Sequence, residues 1–152
     1  MVENGADSLQ DRLSLRSDLS EMKRLPPWIE SVAARHAIPE KLKSAMDLCL
    51  EEAVSNVIRH GYAGRVDGRV AVSFSMPGDG SFVFTVEDDA PRFNPLDAPR
   101  RPALKEGGEI RIGGQGIALL RRFADCLQYE PTSGGNRLRM SFSHTGAADR
   151  VK

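Results

Sequence analysis

Apolar positions change period along the chain, and the changes divide it into elements. Leu13 and Leu15 alternate with Arg12, Ser14 and Arg16, which predicts a short first strand after a loose N-terminal tail, residues 1–9. Asp18 or Ser20 suits a helix N-cap, and a helical pattern runs from there towards His36. Pro26 and Pro27 fall inside it, and Trp28, Ile29 and Val32 then resume an apolar face, so two helical pieces are expected. The cleanest helix spans Pro39 to His60: Leu42, Met46, Cys49, Ala53 and Val57 recur at helical spacing, and Gly61 follows as a stop. Val70, Val72, Phe74 and Met76 alternate, Pro77 to Gly80 supply turn residues, and Phe82, Phe84 and Val86 alternate again, which is a β-hairpin. From Asp88 to Gly114 the pattern fails in a run rich in proline and glycine, a length typical of binding loops and lids. Ile117 to Phe123 resumes a helix, and a second hairpin runs from Leu127 through Pro131 to Asn136 into Leu138, Met140 and Phe142. Residues 144–152 read as a second loose tail.

Paired strands with helices between the pairs predict an α+β fold, a two-layer sandwich with helices on one face of a largely antiparallel sheet. At 152 residues, 40% of them apolar, the chain is one domain of ordinary size that needs no disulfide or metal to hold a core. Twenty-one basic residues balance 21 acidic ones, which excludes the bulk positive charge of a non-specific nucleic-acid or membrane binder. The start MVENGADS has neither a basic nor an apolar leader region, and no apolar stretch is long enough to span a bilayer. Cys49 and Cys126, far apart and in apolar surroundings that read as helical, are expected to be buried thiols of a protein in the reducing cytoplasm.

Three constellations carry chemistry. In EEAVSNVIRH, Glu52 and Asn56 lie one turn apart on one helix face with His60 a turn further, a polar stripe at the edge of the buried face. A boundary carboxylate and amide satisfied by neighbouring backbone is the plainer explanation, and Glu51 reads as a solvated charge. In VEDDAPRFNP three acids in a row at a strand end cap a turn, stay solvated or face a donor, a turn cap being the plainer explanation; the strand phase set by Phe84 and Val86 turns Asp88 inward and Glu87 and Asp89 outward, so Asp88 is the one to explain. In GGQG, Gly113 to Gly116, glycines open a helix, where free N–H groups can meet an anion; a loop hinge would use the same residues. No strand–GxGxxG–helix unit or GxxxxGK[ST] run is present, and His36, His60 and His144 share no ligand spacing.

In this order the three segments resemble the boxes of one superfamily. EEAVSNVIRHGY looks like the N box, VEDDAPRFNP like the first glycine box and GGQGIALLRRFAD like the second glycine box of the GHKL (Bergerat-fold) ATPases. The short length and the ending LQYEPTSGGNRLRMSF resemble the bacterial anti-sigma factor serine/threonine kinases of partner-switching systems. The resemblance covers residues 10–143. It implies a mostly antiparallel mixed sheet under helices, ATP and Mg²⁺ as cofactors, and a lid at about residues 96–112. It also implies Glu52 as general base, Asn56 as Mg²⁺ ligand and Asp88 as acceptor for the adenine amine. Gly113, Gly114, Gln115, Gly116 and Ile117 would lie against the phosphates, Ala90 and Phe93 beside the base, and Lys105 or Arg111 would supply lid charge. Ala90 stands where the first box usually has glycine, which either weakens the nucleotide site or is harmless if that turn needs no glycine conformation. Asn94, where many relatives have Asp, removes a charge near the lid base.

The partners so implied are a STAS-type anti-sigma antagonist as phosphoryl acceptor and a sigma factor or other regulator as sequestered protein, with no direct nucleic-acid contact. Relatives often dimerise, and the Leu13–Leu15 strand offers an edge for that. A nucleotide-binding module acting by sequestration alone is the alternative, and a histidine-kinase catalytic domain a third, against which counts the lack of a dimerisation helix with an acceptor histidine before residue 39.

Overall fold

A computed structural model of the chain describes residues 11–97 and 112–143. Five strands form one sheet in the order β1-β2-β3-β5-β4, from β1 (Arg12–Arg16), β2 (Arg69–Ser75), β3 (Ser81–Asp88), β4 (Cys126–Thr132) and β5 (Gly135–Ser143). All four pairings are antiparallel, so the expected α+β sandwich is present and its sheet, among the described residues, has no parallel member. A 3₁₀ turn over Leu19–Arg24 leads into α1 (Leu25–Arg35), then come α2 (Glu40–Asn56) and α3 (Ile112–Phe123).

Period-two alternation sets the sheet's two faces. Opposite one another on the inward face stand Phe82 and Phe142, Phe84 and Met140, Val86 and Leu138 on β3 and β5, with Val72 and Phe74 of β2 and Leu13 and Leu15 of β1 beyond them. Helices supply the other layer: Leu25, Ile29 and Val32 of α1, Leu42, Met46, Cys49, Leu50, Ala53 and Val54 of α2, and Leu120 of α3 are all buried in this cluster. Phe84 lies at its centre, with ring centroids 5.0 Å from Phe74, 6.0 Å from Trp28 and 6.3 Å from Phe142. Burying each such side chain stabilises the fold by about 1.5–3 kcal/mol.

Helix ends follow from local chemistry. Asp18 caps the first 3₁₀ turn by accepting from the Ser20 N–H at 3.0 Å, and Pro26 and Pro27 fall in the opening turn of α1, where a missing N–H costs nothing. The two expected helical pieces are therefore a 3₁₀ turn and an α-helix. At the other end of α2 the α-geometry stops at Asn56 and one π-turn, Val57–Gly61, carries the chain to Tyr62, where an α-helix up to His60 was expected. Tyr62 is pinned by its hydroxyl to Asp89 at 2.6 Å, and its ring lies where a Cβ on Gly68 would have to go, 2.1 Å away. This anchor follows directly on the wide turn Val57–Gly61.

Some smaller expectations fail. Met76 lies beyond the end of β2 and is half-exposed. Cys49 is buried, which pushes its thiol up to about 12, but Cys126 is exposed at the start of β4 and lies in no helix. It precedes Leu127, whose phase faces the core, so alternation turns Cys126 outward. The tails, residues 1–9 and 144–152, and most of the expected lid, residues 98–111, lie outside the described residues. Among the described residues no helix is long and apolar enough to cross a membrane.

Candidate functional site

Where the ends of α2 and β3 meet under α3, a largely apolar pocket opens. Asn56 and Ala53 of α2 and Gly61 of the π-turn form one wall; Val86, Asp88 and the following Ala90, Pro91 and Phe93 form another. Leu120 of α3 and Tyr129, Asn136 and Leu138 of the second hairpin complete it. A single π-turn inside a helix is frequent at functional sites, and here it starts one residue after Asn56.

The three consecutive acids of β3 and its end take separate roles. Glu87, on the outer face, pairs with Arg137 at 2.7 Å, and Arg137 in turn bonds Glu130. Asp89 is exposed and ties strands together, accepting from Tyr62 Oη at 2.6 Å and from the Arg69 N–H at 3.0 Å; the Tyr62 bond holds its carboxyl below the usual range. Asp88 faces the pocket, as its phase predicts. Burial pushes its pKa up, and hydrogen bonds from Asn136 and the Ala90 N–H pull it partly back.

Asn136 is the residue that sequence reasoning missed. It continues the inward series Phe142, Met140, Leu138 by one more step and stands directly opposite Asp88. Its amide nitrogen donates to Asp88 Oδ1 at 2.8 Å and to the Pro91 carbonyl at 3.1 Å, with the Ala90 carbonyl at 3.4 Å. Its oxygen accepts from the Phe93 N–H at 2.9 Å and Tyr129 Oη at 2.5 Å. Placed in the turn-forming run before β5, it looks like a turn asparagine; counting back by two from Leu138 is the signal that finds it.

At the other end of the pocket Asn56 is half-buried and makes no side-chain hydrogen bond among the described residues. One turn earlier, Glu52 has a buried Oε1 without a hydrogen-bond partner among the described residues. Burial pushes the Glu52 pKa up, Arg59 opposes the shift and Glu51 adds to it. His60, the third member of the stripe, is exposed, as is Glu51.

Ala90 is buried and its N–H donates to Asp88 Oδ1 at 3.0 Å. Among described non-glycine residues only Ala37 and Ala63 have positive φ, so this turn needs no glycine conformation and tolerates the methyl. The space for that methyl comes from Gly61, where a Cβ would lie 3.1 Å from the Ala90 Cβ. Asn94 acts locally, accepting from the Leu96 N–H at 2.9 Å and so closing the 3₁₀ turn Pro95–Asp97, whose Leu96 carbonyl also receives Arg121 of α3 at 3.1 Å. Phe93 lies half-exposed at the pocket mouth. Gly113, Gly114, Gln115, Gly116 and Ile117 fall within α3, which begins at Ile112, five residues before the expected start. Lys105 and Arg111 lie outside the described residues.

The fold and site thus define a two-layer α+β sandwich, a five-stranded antiparallel sheet under helices with a strand-end acid and a helix-borne asparagine lining one largely apolar pocket. Residues 15–142 match the histidine kinase-like ATPase domain, and the chain belongs to that family. It is 24% identical over 118 residues to the serine/threonine-protein kinase BtrW of Bordetella bronchiseptica, covering 78% of this chain and 82% of that protein. It is 31% identical over 81 residues to the anti-sigma F factor of Heyndrickxia coagulans, covering 53% of this chain and 55% of that one, so the match spans about half of each. The structure of the RsbU and RsbW domains of Rv1364c from Mycobacterium tuberculosis superposes on 87% of this chain, and 32% of that one, with a TM-score of 0.62 at 16% identity, which is a likeness of fold.

Proposed function

We propose that this chain is an ATP-dependent protein-serine/threonine kinase of the partner-switching kind, which phosphorylates a STAS-type antagonist protein and, in a second complex, sequesters a sigma factor or another regulator. The observation that carries the proposal is the pairing, in one pocket, of a β3 carboxylate with Asn56, one helical turn from a glutamate with a buried, unpartnered oxygen. The similarity to a protein-serine/threonine kinase over four-fifths of that relative's length supports the chemistry, and the similarity to anti-sigma F factors supports the second complex.

In this reading Asp88 accepts from the amine of adenine, with Ala90 and Phe93 beside the base. Gly113 to Ile117, at the start of α3, lie against the phosphates, and of these Gly113, Gly114 and Gln115 fall in the first helical turn, whose N–H groups have no intrahelical acceptor. Lys105 or Arg111 supplies positive charge from the lid to the γ-phosphate. Asn56 offers a hard amide oxygen suited to Mg²⁺, an ion commonly held by one or two protein ligands together with substrate phosphates and water. The described residues hold no cluster of three His, Cys, Asp or Glu side chains, and an ion arriving with its nucleotide needs none. Bound there, Mg²⁺ neutralises phosphate charge.

Glu52 takes the proton from the serine hydroxyl of the partner. The hydroxyl oxygen bonds to the γ-phosphorus as the bond to the β–γ bridging oxygen breaks, and ADP departs. Burial of Glu52 raises its basicity, as a general base requires. A homodimer through the exposed edge of β1 fits the sheet order, where β1 is terminal.

Calorimetric titration of ATP and ADP, with and without Mg²⁺, into wild type and Asn56→Ala tests the site. Mg²⁺-dependent ATP binding weakened by the substitution is expected; a folded wild type that binds no ATP overturns the assignment. Incubation with Mg-ATP and a STAS-domain antagonist encoded beside the chain's own gene should add one phosphoryl mass to a serine or threonine. A stable regulator complex without that mass gain would point to sequestration alone.

A further inference from the structure

The orientation of the Asn136 amide is set by its neighbours. The Phe93 backbone N–H can only donate, so the atom facing it at 2.9 Å must be the oxygen. The nitrogen then faces three acceptors, Asp88 Oδ1 and the carbonyls of Ala90 and Pro91. Asn136 is 6% exposed, and Tyr129 Oη, donating at 2.5 Å, holds the amide from the β4 side. Every hydrogen bond to the Asp88 carboxylate from the described residues falls on Oδ1, from Asn136 and from the Ala90 N–H. That leaves Oδ2 as the acceptor available in the pocket.

We propose that Asn136 is the positioning residue of the pocket: it fixes Asp88 so that a single carboxylate oxygen meets the base, and it ties the 90–93 wall to the sheet. This rests on the nucleotide reading given above. A fixed single acceptor favours a base with an amino group at that point and disfavours one with a carbonyl, because a carbonyl would leave two acceptors facing each other. Without Asn136 the carboxylate is free to turn, and the three backbone groups of the wall lose their common partner.

Asn136→Asp tests this, because it keeps the acceptor for Phe93 and Tyr129 and replaces the donor with a second acid. Charged groups near Asp88 are Asp89 on its own strand and, on the outer face, Glu87 with Arg137 and Glu130; on the π-turn side the Tyr62 hydroxyl is bonded to Asp89, and on the β4 side the Tyr129 hydroxyl is bonded to Asn136. Two facing carboxylates share a proton at low pH, and the introduced acid then donates as the amide did. The readouts are dissociation constants for ATP and GTP between pH 5.5 and 8, at a temperature where circular dichroism shows both proteins folded. Taking the ratio of variant to wild type at each pH cancels the nucleotide's own titration.

At pH 8 the variant is expected to bind ATP at least about tenfold more weakly and to lose preference over GTP; by pH 5.5 the ratio should fall by about tenfold or more. A ratio near one at every pH overturns the proposal while the nucleotide site stands. So does a weakened affinity that is flat in pH with ATP preference intact, the mark of a purely structural role. A wild type that binds no ATP overturns the functional reading, and this inference with it. If Asn136→Asp does not fold, Tyr129→Phe takes its place: it should weaken ATP binding by about two- to fivefold, as loss of one hydrogen bond does, and leave GTP binding unchanged. Unchanged ATP affinity there overturns the proposal.

Discussion

The two ends of the pocket are built on opposite terms. At the β3 end, Asp88, Asn136, Tyr129 and the 90–93 backbone satisfy one another through five short hydrogen bonds and one longer one. At the α2 end, Asn56 makes no side-chain bond among the described residues, and Glu52 keeps a buried oxygen unpartnered. The first end is rigid before any ligand arrives, which suits recognition of a base. The second bears the cost of an unsatisfied group, which suits chemistry, since a base in full hydrogen bonding would have little left to accept a proton.

The ordered end is broken most completely at Gly135. A Cβ there would sit 1.8 Å from the Asp88 carbonyl oxygen, with no flexible atom to yield, so Gly135→Ala should cost about 4 kcal/mol or more or prevent folding, measured by thermal denaturation. Glu52→Ala should act on rate alone: phosphoryl transfer to the antagonist falls by about 10²–10⁴-fold while ATP affinity stays within about twofold. Phosphorylation that survives the substitution removes the base assignment. Alanine at the two asparagines then contrasts the ends directly. Asn136→Ala strands several buried partners and should cost about 2–4 kcal/mol in urea unfolding, whereas Asn56→Ala should stay within about 0.5 kcal/mol.

The smallest effect concerns pH. The folded Glu52 pKa lies above its unfolded value, so its contribution to stability is fully present below the ordinary glutamate range and is lost as pH rises through the folded pKa. Glu52→Gln, which stays uncharged, should therefore melt higher than wild type near pH 8, with the gap closing as pH falls towards 4.5. A gap that is constant across that range would mean that the charge on Glu52 carries no cost in the fold.

Most of the sheet is legible in the sequence because alternation fixes phase as well as strand identity. Phase alone separates Asp88 from Glu87 and Asp89. Asn136 shares that phase but is hidden by its place among turn residues. The π-turn is not readable, since over five residues a wider helix shifts the apolar pattern too little to detect. Cys126 reads as helical because the short apolar run around it fits a helix or a strand equally well, and only pairing with β5 decides. The order and spacing of the three boxes carry the family, which no single motif could do.

The close approach of Gly61 to Ala90 couples two positions across the pocket wall. A methyl on each would sit 3.1 Å apart, tighter than an ordinary van der Waals contact, and in this chain the one methyl stands on the loop side. A side chain at 61 therefore requires the loop to give by a few tenths of an ångström while alanine stands at 90, and glycine at 90 would lift that demand. The effects of substitutions at the two positions should therefore be non-additive, each depending on what stands at the other.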